Sequence, residues 1–147
     1  MRSKVIQDAD GERTFAVILE TGDEIVASLD SFAQANKLEA ASFKAIGAFS
    51  NATLAFFDWE AKEYLSIPVN EQVEVASLTG DIAIGSDGKP ALHIHAVLGK
   101  RDCSAVAGHL QAGTVRPTLE VVLTEASGHL RKRFDPNVGI AMIDPTL

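Results

Sequence analysis

Three of the four histidines in this 147-residue chain fall within one stretch, from Leu92 to Glu125, inside two adjoining apolar segments. Nothing else in the sequence restricts the possible folds as much. Side chains alternate between faces along a β-strand, so Leu92-His93-Ile94-His95-Ala96-Val97-Leu98 sends His93 and His95 to one side and Leu92, Ile94 and Leu98 to the other. A turn over Gly99, Lys100, Arg101 and Asp102 follows, and the apolar run Ala105-Val106-Ala107 then leads to His109. If the segments form a hairpin, His109 returns to the level of the pair. Pairing Leu98 with Val106 sets His95 opposite His109. Pairing Leu98 with Ala105 sets Ile94 there instead and turns the third histidine away, since a one-residue slip flips every side chain.

Three neutral imidazoles aimed at one point suit zinc and leave a fourth position open, although iron, nickel and copper also accept imidazole. The strand expected over Thr118–Glu125 places Leu119, Val121 and Leu123 on one face, and Glu120 on the other is the carboxylate expected toward the histidines. Three readings therefore stand side by side. The histidines are polar residues satisfied by backbone and water; or they hold a divalent metal, with Glu120 fixing an imidazole from behind; or metal-bound water and Glu120 as general base make the chain a metal-dependent hydrolase or lyase.

The ordered segments HIHAVLG, AGHLQAG and PTLEVVL, with EVASLTGDIAI upstream and FDPNVGIAMID downstream, resemble the plant and prokaryote conserved (PPC) domain over most of the chain. Ala107 stands where relatives commonly have glycine. The resemblance implies a compact α+β domain that assembles as a homotrimer. It also implies a metal on His93, His95 and His109, as in some members. Plant relatives follow short basic hooks that enter the DNA minor groove, whereas bacterial and archaeal members are mostly stand-alone and of unknown activity. No Arg-Gly-Arg-Pro hook occurs in this sequence.

Charge bears on the DNA question directly. Nonspecific affinity for DNA comes mostly from cations that displace counterions along the phosphates, and the formal charge here is −7. Arg131-Lys132-Arg133 is the one dense basic run, and in a strand its members cannot share a face. Direct DNA contact is thus disfavoured; protein partners and self-association are the expected interactions. No apolar run approaches the ~20 residues needed to cross a bilayer, and the single Cys103 forms no internal disulfide. A cytoplasmic protein of one domain over residues 1–147 is the expectation.

The rest of the chain reads as one helix and about eight short strands, an α+β domain with a mainly antiparallel sheet. The first dozen residues read as a polar arm, and RTFAVILE as the first strand. Thr21-Gly22-Asp23-Glu24 has the form of a capping box, so a helix is expected from there to Asn36-Lys37, with Ile25, Leu29, Phe32 and Ala33 as its apolar stripe. A bend is expected at Gly47, a hairpin around Glu60-Ala61-Lys62, a break at Gly80-Asp81 and a turn at Gly85–Pro90. Phe56, Phe57, Trp59 and Tyr64 are expected in the core or a subunit contact, and His129 on the surface. Gly139–Ile143 is expected to close the sheet.

Overall fold

The computed structural model describes Met1–Leu147. The elements are β1 (Arg2–Ala9), β2 (Glu12–Glu20), α1 (Ile25–Asn36), β3 (Ala40–Asp58), β4 (Glu63–Val69), β5 (Val73–Ile84), β6 (Pro90–Gly99), β7 (Ala105–Glu125), β8 (Lys132–Asp135) and β9 (Ile140–Ile143). Seven strands make one sheet in the order β1-β2-β7-β6-β5-β3-β4, every ladder antiparallel. Because β3 also pairs with β7 along almost its whole length, the strands β7, β6, β5 and β3 close into a ring. The fold is the expected α+β domain, with α1 packed against β6 and β7.

Alternation explains the core. Phe15, Val17 and Leu19 of β2 and Leu119, Val121 and Leu123 of β7 are buried facing Ile25, Leu29, Phe32 and Ala33 of α1. The helix stripe is the expected one, but the cap is not. Glu24 is the N-cap residue and its carboxylate accepts from Ala27 N at 2.7 Å, while Thr21 Oγ1 donates to the Pro117 carbonyl. Gly22 and Asp23 are held by backbone hydrogen bonds to Val115, so helical geometry can begin only after them. Lys37, in the left-handed region, ends the helix.

Four expectations are corrected. Residues 2–9 are an edge strand rather than an arm, joined to β2 by Asp10-Gly11, both with positive φ as a tight hairpin requires. The bend at Gly47 is a bulge inside one long strand. A Cβ there would lie 2.2 Å from the Thr118 carbonyl oxygen, so only glycine lets β3 approach β7 this closely. A second bulge between Val75 and Ser77 reverses the alternation, burying Leu78 in place of Ser77; β5 has no break at Gly80. Finally, β9 does not close the main sheet but pairs with β8 in a separate hairpin.

Candidate metal centre

The loop Lys100–Ser104 decides the register on which the three histidines depend. Lys100 and Ser104 close it with a backbone hydrogen bond of 2.8 Å, Asp102 accepts from Ser104 N and Oγ, and Cys103 takes positive φ. Gly99 then faces Ala105, Leu98 faces Val106, and His95 faces His109. Of the two registers open to the sequence, this is the one that brings the imidazoles together. Ile94, Ala96 and Leu98 point into the core. His93, His95 and His109 share the outer face, their ring centroids 5.0, 5.4 and 5.6 Å apart.

One nitrogen from each ring lies within 4.8 Å of the other two. Tetrahedral zinc at a Zn–N distance of about 2.0–2.1 Å needs such nitrogens about 3.4 Å apart, so small side-chain rotations close the set. The donor chemistry also fits. His109 Nδ1 is buried and has no hydrogen-bond partner, a cost that a metal ion bound there would offset. Burial, followed by the neighbouring charges of His93, His95 and Lys132, pushes the His109 pKa down to about 4. His95 is lowered by burial and by His93. Both rings are therefore predominantly neutral at pH 7, the form that ligates. The three-histidine set can hold a metal ion.

Glu120 is not at this site. It lies eleven residues further along β7, opposite Ile46 of β3, in a separate depression with Lys44 and Ala76. Eleven residues is an odd spacing that strict alternation would put on opposite faces; register shifts along the β3–β7 ladder return Glu120 to the outer face, but the length of the strand separates it from His109. The carboxylate that meets the histidines is Asp81 of β5, paired in register with His93. Its Oδ2 lies 3.4 Å from His93 Nδ1 and its Oδ1 lies 3.4 Å from Lys132 Nζ. Burial opposes ionisation of Asp81, but His93 and Lys132 outweigh it and hold the carboxyl below its usual range.

Lys132 comes from β8. Its side chain is 9% exposed and Nζ also donates to the Ala91 carbonyl at 3.2 Å, so the middle member of the basic run is turned inward. Arg133 pairs with Asp144. Tyr64 of β4 lies against His109 with ring centroids 4.7 Å apart, whereas Phe56 and Trp59 are exposed and not in the core of this chain. His129 is exposed and is not a member of the three-histidine group.

The sequence profile of the Plants and Prokaryotes Conserved (PCC) domain matches residues 6–127. No curated protein sequence matches the chain. Several solved structures do. A plant- and prokaryote-conserved protein of Pyrococcus horikoshii superposes with a TM-score of 0.84 at 28% identity, over 90% of this chain and 91% of that one. A metal-containing protein of Archaeoglobus fulgidus gives 0.82 at 30% identity, over 97% and 96%. A candidate DNA-binding protein of Bacteroides thetaiotaomicron gives 0.85 at 28% identity, over 96% of each chain.

Proposed function

Since this chain belongs to the Plants and Prokaryotes Conserved domain family, we propose that it is a self-associating interaction module built around a divalent metal, zinc, on His93, His95 and His109. The observation that carries this reading is the convergence of three imidazole nitrogens within 4.8 Å on one face of the β6–β7 hairpin. Asp81 serves behind His93, in the place the sequence suggested for Glu120. Held by a carboxylate through Nδ1, His93 presents Nε2, the usual way a metal-bound imidazole is oriented. Zinc there supplies a cross-link between two strands and a Lewis-acidic centre. The metal-containing relative from Archaeoglobus fulgidus supports the reading.

A hydrolase or lyase working through Glu120 loses its base, because that residue lies in another depression. Asp81 does not replace it, being engaged by His93 and Lys132. Self-association is supported by large apolar side chains exposed on β3, β4 and the loop between them, Phe56 at 65%, Trp59 at 60% and Ile67 at 47%. A homotrimer is the state proposed. Direct DNA binding is set aside for this chain: its net charge is −7 and two of the three residues in its basic run are ion-paired within the fold.

Elemental analysis of protein purified with zinc supplementation tests the metal. About one ion per chain is expected, abolished by His93→Ala with His95→Ala; an equal content in both proteins rejects the site. Sedimentation that finds only monomer rejects self-association, and a tight gel shift at physiological salt rejects the statement on DNA.

A further inference from the structure

The hairpin β8–β9 forms one wall of a groove of about 570 Å³ whose other wall is the histidine face. That volume is in the range of small-molecule sites. Its residues are sorted by position. The apolar part is made by Tyr64 and Ala91 on the sheet side and, on the hairpin face that carries Lys132, by Phe134, Ala141 and Ile143. The polar part is made by His93, His109 and Lys132, and no carboxylate lines the groove. Phe134 is 57% exposed and Ile143 37%, so the hairpin leaves apolar surface uncovered on the groove side.

Charge selects the occupant. Three imidazoles are neutral ligands, so a divalent ion on them keeps both its positive charges. Asp81 and Lys132 face each other at 3.4 Å and cancel. The polar end of the groove is then cationic beside an apolar channel, within a protein that is otherwise acidic. We propose that this groove binds a small organic acid, its carboxylate at the His93, His109 and Lys132 end and its hydrocarbon body between Tyr64 and the Phe134–Ile143 wall. This inference rests on the metal reading above. It goes beyond that reading by naming the ligand class and assigning the C-terminal hairpin a role in selecting it.

Binding of hexanoate to zinc-loaded protein, measured by calorimetry after the metal content has been determined, tests the proposal. Hexanoate should bind at least tenfold more tightly than acetate, since each buried methylene contributes about fourfold, and hexylamine should not bind. Phe134→Ser with Ile143→Ser should weaken hexanoate at least tenfold and leave both metal content and acetate binding unchanged. Acetate and hexanoate binding alike, or no effect of the two serines, would mean a carboxylate touching metal alone and overturns the groove while sparing the metal site. A change of oligomeric state in the double-serine variant would identify the groove wall as a contact with a second copy, and also overturns it. Protein that takes up no zinc removes the metal reading and this inference together.

Discussion

β7 passes through two environments, and their difference explains where the site is. From Thr118 to Glu125 the strand lies between β2 and β3, with Leu119, Val121 and Leu123 almost wholly buried. From Ala105 to Leu110 it lies between β6 and β3, and only Leu110 is a large buried side chain. The first half anchors the core through helix and sheet. The second presents His109 outward, where the β8–β9 hairpin faces it across the groove. Ligating residues can be placed there because little core depends on them, while the ring of strands holds their backbone still.

The largest effect expected from this contrast comes from Gly47, at the core end. Alanine there forces a side chain onto the Thr118 carbonyl at a φ of +153°, and strain and overpacking together are expected to cost about 4 kcal/mol of folding stability. Chemical denaturation measures it; a loss below about 1 kcal/mol would mean that β3 and β7 can separate locally. Leu119→Ala comes next. It leaves a cavity in the core and is expected to cost about 3 kcal/mol, while zinc content per folded chain stays the same. If Leu119→Ala emptied the metal site, the two halves of β7 would not be independent.

The core half was the more legible of the two in sequence. Leu119-x-Val121-x-Leu123 and the Ile25, Leu29, Phe32, Ala33 stripe are strict periodic patterns, and both are buried as expected. Bulges hid the rest. Each adds a residue to one strand and ends the alternation, as between Val75 and Ser77. At the site, His-x-His gave the shared face but the turn fixed the register. Asp81 escaped notice although a signal was available. A five-residue turn over Gly85–Lys89 pairs Ile84 with Pro90, and counting back along that ladder sets Asp81 against His93. Lys132 had no comparable signal, because its approach depends on a hairpin outside the main sheet. The N-terminal strand was missed because all of its residues are exposed and lack a periodic apolar face; Asp10-Gly11 was its only mark.

A smaller effect separates Asp81 from Glu120. Asp81→Asn removes the charge behind His93 and is expected to weaken zinc binding by about 10- to 100-fold, read by competition with a chelator. Glu120→Gln, at the other end of β7, is expected to change it less than twofold. Equal effects would mean that general charge, not contact with His93, governs the site.

The smallest effect is a dependence on acid in the metal-free protein. An unfolded chain protonates His109 near 6.5, whereas in the fold burial and its cationic neighbours hold it to about 4. Between those values the unfolded state carries the extra proton. Stability is therefore complete above about pH 6.5 and falls as the pH drops toward 4. Partial exposure reduces the effect to roughly 1–2 kcal/mol. His95, also lowered, adds to it in the same direction. Replacing His109 with Gln should flatten the part of the pH profile due to that ring, whereas Leu119→Ala should lower the whole profile without changing its slope. A slope carried equally by both variants would show that the acid response belongs to the whole fold and not to the histidine half of β7.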